Sequence, residues 1–204
     1  MNPELHTDLG PIPTTPKTGR EKFHADKTPV EGFTLQDFWV WSVSDIVSNA
    51  TRGRLAEFIV AKALGIPADG VRDEWEAYDL KSPEGKKIEV KSAAFIQSWN
   101  QTKLSSIIFS TRKTRYWDGK TNKMEKEARR QADVYVFALL AHKEKATIDP
   151  LNVKQWEFYV LSTKALGEHD KRSAVSITLN TLALLKAGPV DYFGLAEKFK
   201  NVTS

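Results

Sequence analysis

G-R-L-A-E-F-I-V-A-K-A-L-G, residues 53–65, and E-W-E-A-Y-D-L-K-S-P-E-G-K-K-I-E-V-K-S-A-A-F-I-Q-S-W, residues 74–99, decide the fold. In the second stretch Trp75–Leu80 and Lys87–Ser92 alternate as short strands do. Ser82-Pro83-Glu84-Gly85 between them puts proline and glycine where a hairpin turn needs them. Side chains along a strand point to opposite faces in turn, so Ile88 and Val90 face one way and Glu89 and Lys91 the other. Asp79, near the end of the first strand, then comes within cross-strand reach of Glu89 or Lys91.

The first stretch supplies a third acid. Residues 54–64 read as a helix stopped by Gly65 and Pro67. Leu55, Phe58, Ile59, Val60, Ala61, Ala63 and Leu64 fill nearly every direction of its wheel, which predicts burial almost all round. Glu57 shares a face with Val60, Ala61 and Leu64, and a carboxylate there is costly unless a cation or hydrogen-bond donors meet it.

Around this centre the chain of 204 residues is read as one domain, residues 34–204, preceded by an arm over residues 1–33 that is extended or disordered and carries five of the nine prolines. Thr34 and Asp37 form a helix-start signal before Phe38, Trp39 and Trp41, so residues 34–64 are expected as two helical pieces. Leu104–Thr111 is expected as a third strand, Lys123–Ala132 as a charged, exposed helix, and Val134–Leu140 as a central strand buried on both faces. Trp156–Leu161 reads as a strand, Thr163–Leu166 as a short helix, Val175–Thr178 as a short strand and Leu182–Lys186 as a closing helix.

Composition narrows the function. A chain that is 41% hydrophobic and 27% charged is an ordinary globular one. It contains no apolar run long enough to span a membrane and no signal-peptide pattern, so the expected home is the cytoplasm. With no cysteine, disulfides, iron–sulfur clusters and thiolate zinc sites are excluded. Residues 101–130 hold nine Lys or Arg against three acids, an excess of +6 in a chain of net charge +4, leaving −2 elsewhere. Lys103, Arg112, Lys113 and Arg115, with Trp117 among them, suit a phosphate backbone. A charge run alone is more often a solvated surface; beside a carboxylate cluster it points to a polyanion.

Helix acid, hairpin acid and a following E-V-K strand together resemble the PD-(D/E)xK phosphodiesterase superfamily, the restriction endonuclease-like fold. The carrying residues are Glu57, Asp79 and Glu89-Val90-Lys91, over about residues 44–140, with residues 150–204 as additions. Tyr78, rather than proline, precedes Asp79. The resemblance implies an α/β fold with a central mixed sheet of four to five strands flanked by helices. It implies an Mg²⁺-dependent DNA endonuclease of restriction, defence or repair type, with Mn²⁺ as a substitute. Asp79, Glu89 and the Val90 carbonyl would hold the metal, Glu57 would bind it through water or hold a second ion, and Lys91 would address the scissile phosphate. Gln97 would orient water or phosphate. One catalytic set per chain means that cutting both strands needs a homodimer or two visits.

Each residue also has a plainer reading. An E-x-K pair is commonly a surface ion pair worth about 1 kcal/mol or less. Asp79 opens the turn in that reading, Glu57 pairs with Lys62 or a core arginine, and Gln97 is a structural hydrogen bond. His142 is read as a strand-end histidine. The alternatives in function are a non-catalytic nucleic-acid-binding or assembly subunit and an RNA-directed nuclease.

Overall fold

The computed structural model describes residues 9–169 and 175–204. Of the N-terminal arm, residues 1–8 lie outside the described residues. Further along it, β1 (Lys22–Ala25) and β2 (Thr28–Thr34) form an exposed antiparallel hairpin, turned at Asp26 (φ 54°) and clasped by Phe23 and Phe33, whose ring centroids are 4.7 Å apart. Then come α1 (Leu35–Val43), α2 (Asn49–Ala63), β3 (Leu80–Lys81), β4 (Lys87–Ala94), β5 (Ile108–Ser110), β6 (Trp117–Asp118), β7 (Lys123–Met124) and β8 (Val134–Leu140). β9 (Trp156–Ser162), α3 (Thr163–His169), β10 (Ser176–Thr178), α4 (Leu179–Leu184) and α5 (Leu195–Thr203) complete the chain. The two helical pieces fall where expected, and Asp37 accepts both the Thr34 N–H (2.6 Å) and the Thr34 hydroxyl (2.8 Å) at the first helix start.

The central sheet is mixed and four-stranded, in the order β3-β4-β8-β9: β4 and β8 run parallel and the outer pairs antiparallel. Every residue of β8 is buried, as its unbroken apolar sequence requires of a strand covered on both faces. On one face Ile88, Val90, Val136, Ala138 and Phe158 pack against Ala56 and Val60 of α2 and Leu195 and Phe199 of α5. On the other, Tyr135, Phe137, Leu139 and Tyr159 pack against Phe109, Ile177, Leu166 and Leu182. The sheet therefore has a helical layer on one side and the β5–β10 pair with α3 and α4 on the other.

Four expectations change. Trp75–Leu80 is strand only at its end, in β3; the Trp75 N–H donates to Asp73 Oδ1 (2.8 Å), bending the chain away from the ladder. Leu104–Thr111 is strand only at Ile108–Ser110, which pairs with β10 and not with the central sheet. There Ile107, Phe109 and Thr111 are buried while Ile108 is exposed, the alternation of a strand with one wet face. Lys123–Ala132 forms no helix. Met124 and Ala128 are its only apolar residues before Ala132, so a helix there would have no face to bury. Asp118 instead accepts the Lys120 N–H (2.9 Å) and the Thr121 hydroxyl (2.7 Å), and Asn122 (φ 53°) completes a turn between β6 and β7. Finally, α2 is not buried all round: Phe58 and Lys62 are exposed, with the Lys62 ammonium 5.3 Å from the Phe58 ring centre.

The closing helix at 182–186 is realised as α4, a few residues earlier, and α5 beyond it is an element the sequence reading passed over. Its pattern was visible: Leu195, Phe199 and Val202 recur at helical spacing and pack on the core.

Candidate active site

The acids meet at the edge of the sheet where β3 ends. β4 and β3 are in register only at Leu80–Ile88 and Lys81–Lys87, and beyond that the chain turns off. The Val90 N–H, left without a strand partner, is taken by Asp79 Oδ2 at 2.7 Å, while the Asp79 N–H donates to the Ile88 carbonyl at 3.0 Å. A carboxylate is thereby locked against the backbone of the E-V-K strand. Glu89 and Lys91 project from the other face of β4 and pair with each other, Nζ to Oε1 at 2.5 Å. Glu57 comes from α2, which packs on the Val90 face, and Asp79 lies within electrostatic reach of both Glu89 and Glu57.

Arg72, from the loop between α2 and β3, bridges Glu57 and Asp79. Its guanidinium makes a bidentate contact with Glu57, through Nε to Oε2 and through Nη2 to Oε1 at 3.1 Å, and its Nη2 stands 3.6 Å from Asp79 Oδ1. Glu57 thus pairs with an arginine outside the core and not with Lys62. Nothing in the sequence marked Arg72, since a lone arginine in a connecting loop has no periodicity to betray it. Tyr135, directly opposite Glu89 on β8, is the other unforeseen neighbour. Burial first, and Glu89 second, pushes its hydroxyl up to about 12.

Asp79 carries the electrostatic strain of the site. Burial, then the nearby charges of Glu89 and Glu57, pushes its carboxyl up from 3.8 to about 7, against the opposing pull of the Val90 N–H and Lys91. A cavity of about 480 Å³ opens beside it, lined by Glu57, Arg72, Tyr78, Asp79 and the apolar Phe58 and Ile66 among others. Among the described residues, no three acidic or histidine side chains stand close enough together to enclose a metal ion. The donor chemistry nonetheless fits a hard divalent cation: partly buried carboxylates that repel each other, with Arg72 and Lys91 supplying the positive charge that holds them.

The remaining sequence candidates lie elsewhere. Gln97 is buried, its amide donating to the Ala94 carbonyl (2.9 Å) and Ser105 Oγ (3.2 Å) and accepting from Arg52 (3.4 Å). None of these partners is one of the acids. Arg52 is itself buried and donates to the Val47 carbonyl (2.6 Å), Asn49 Oδ1 (2.6 Å) and Ser92 Oγ (3.3 Å), tying the start of α2 to β4. Arg52→Ala should cost roughly 2–4 kcal/mol by leaving these acceptors unpaired. A urea midpoint lowered with unchanged slope would show it, and an unchanged midpoint would refute it.

Lys103, Arg112, Lys113 and Arg115 are all exposed, and Trp117 is half-buried against Trp75. Trp99 is exposed at the surface, and its carbonyl accepts from the Lys145 ammonium. His142 stands two residues beyond the end of β8 and bonds Thr147 Oγ1 at 2.7 Å. No helix among the described residues is long and apolar enough to cross a membrane.

Comparison with curated proteins and with solved structures finds no match. Residues 38–179, more than two thirds of the chain, match the family model described as Bacteriophage T4 endonuclease IV. That span begins in α1 and encloses Glu57, Asp79, Glu89 and Lys91. On that match the chain belongs to the bacteriophage T4 endonuclease IV family.

Proposed function

We propose that this chain is a metal-dependent DNA endonuclease whose active site is the Glu57, Asp79, Glu89 and Lys91 cluster, built on a PD-(D/E)xK core. The observation that carries the reading is Asp79: locked to the Val90 N–H, crowded by two further acids, and poised to ionise near neutrality. Family membership supports the reaction class, and the chemistry of the cluster suits it.

Asp79 and Glu89, with the Val90 carbonyl, would hold Mg²⁺ or Mn²⁺, and Glu57 would reach it through water. Bound there, the cation supplies an acidified water and offsets charge on the phosphoryl oxygens. Lys91 places its ammonium against the scissile phosphate, where negative charge builds in the transition state, and Glu89 orients it. Arg72 holds Glu57 and Asp79 in place and balances their charge until the cation arrives.

The test is incubation of purified protein with plasmid and single-stranded DNA in Mg²⁺, Mn²⁺ or EDTA, with an RNA of the same sequence as competitor. Cleavage in either metal and none in EDTA supports the reading. Cleavage undiminished in EDTA overturns the metal dependence, and salt-sensitive binding without cleavage turns the chain into a binding subunit.

The exposed cations make a separate prediction. Each phosphate that a lysine or arginine neutralises steepens the fall of log affinity with log salt by about 0.7–0.9. Replacing Lys103, Arg112 and Lys113 together with alanine should therefore flatten that slope by about 2, measured by fluorescence anisotropy in EDTA. An unchanged slope would show that this surface does not touch DNA.

A further inference from the structure

A second cavity, of about 430 Å³, lies between the bent segment before Asp79 and the β6–β7 arm. Its apolar walls are Trp75, Tyr116, Trp117 and Met124, and Arg115 and Gln131 also line it. Trp75 is 67% exposed and stands edge-on to Trp117, ring centres 5.2 Å apart. Two indoles held at a wet cavity are not core packing, since folding leaves the Trp75 surface in water.

Hydrogen bonds tie the cavity wall together. The Trp117 Nε1–H donates to Asn122 Oδ1 (3.1 Å), and Gly119 permits the ring's close approach, because a Cβ there would come within 3.2 Å of Trp117 Cζ3. The arm beneath is pinned by the Glu125 N–H to the Tyr116 carbonyl (2.7 Å), by paired bonds between Thr114 and Arg129 (both 3.0 Å), and by Gln131 on Glu125 (2.7 Å). Glu76 lines both this cavity and the one that contains Glu57 and Asp79. Trp75 and Asp79 are four residues apart, which limits their Cα separation to about 14 Å.

The lining selects the occupant. Glu74 and Glu76 offset Arg115, so the cavity has no net positive charge to attract a phosphate. Flat aromatic faces with amide and carboxylate groups in the same lining suit a planar heterocycle that is stacked on its face and hydrogen-bonded at its edge. Bases within a duplex have covered faces, so the occupant comes from an unpaired or extruded nucleotide. We propose that the Trp75–Trp117 cavity binds one unstacked nucleobase of the substrate strand, next to the Asp79 and Lys91 cluster. This rests on the endonuclease reading for the identity of the substrate.

The test is titration of indole fluorescence in EDTA with a short single-stranded oligodeoxynucleotide and with the same backbone made wholly of abasic nucleotides. A stacked base contributes about 1–3 kcal/mol, a factor of roughly 5–150. The base-bearing strand should quench the wild-type fluorescence and bind at least about five-fold more tightly than the abasic one. Trp75→Ala and Trp117→Ala should each lose most of that ratio, while Trp117→Phe, which keeps a ring, retains it. Absence of quenching in the wild type, or a wild-type ratio in both alanine variants with circular dichroism unchanged, would overturn the proposal. Trp75 lies in an exposed bend, so its removal does not threaten the fold. A wild type that shows the ratio but cuts nothing would sink the nuclease reading and leave the cavity's role standing. One that cuts DNA while its alanine variants keep the ratio would do the reverse.

Discussion

Lys91→Ala and Asp79→Asn should each lower the rate of DNA cleavage by about 10²–10³-fold while leaving DNA affinity in EDTA within a few-fold of wild type. The size follows from where each group acts. A donor aimed at charge that develops only in the transition state is typically worth about 10²–10³ in kcat, because the ground state does not use it. On the proposed mechanism Lys91 is such a donor: it is only partly exposed and paired with Glu89. Asp79→Asn is the more severe of the two, since it removes the carboxylate nearest the centre of the cluster while its amide oxygen still accepts the Val90 N–H. The local backbone should therefore survive and the chemistry should not. Single-turnover rates with Mg²⁺, beside anisotropy in EDTA, separate the two quantities. Variants that cut within about ten-fold of wild type would remove Lys91 and Asp79 from the active site.

The parts of this site that were legible in the sequence are those with a local pattern. The E-V-K strand alternates, its hairpin turn is signed by proline and glycine, and β8 announces its burial through seven apolar residues. Geometry between segments was less legible. The expected strand through Trp75–Leu80 failed because Asp79 takes a ladder hydrogen bond with its side chain, and hydrophobic alternation cannot register that substitution. The same divergence opens space for Arg72, whose role depends on a loop path that no periodicity encodes. Charge misled at residues 123–132, where Glu125 and Arg129 at helical spacing do pair, but as an ion pair within an extended arm. Asn122 in a left-handed turn and the lack of an apolar face were the better signals. Gln97 shows a different limit: the expectation that it would orient water or phosphate came from a resemblance, while its amide is engaged by Arg52, Ala94 and Ser105.

Asp79→Asn should also stabilise the metal-free protein at pH 8, by roughly 2–4 kcal/mol, and leave it near wild type at pH 4. In the folded chain the Asp79 carboxyl titrates at about 7, against 3.8 ordinarily. Between those values the unfolded chain has already released the proton that the native state keeps. Folding therefore takes up a proton, and stability falls as pH rises, by about 1.4 kcal/mol per unit. The contribution is complete below about pH 4 and gone above about pH 7, and over that window it amounts to roughly 4 kcal/mol at most. Asparagine cannot ionise, so the variant keeps at pH 8 what the wild type has surrendered; a weaker pairing with Arg72 trims the gain. For a chain of this length that corresponds to a rise in Tm of about 5–10 °C. Calorimetry in EDTA at the two pH values measures it. Added Mg²⁺ should narrow the gap at pH 8 by raising only the wild type, as a ligand bound to the folded state must. An equal gap at pH 4 and pH 8, or no gain at pH 8, would show that Asp79 is not under the repulsion expected of the proposed cation site. A gain confined to high pH would mean that the residue most needed for cleavage is one the empty fold would be more stable without, as expected where carboxylates are gathered to hold a metal and not to hold the chain together.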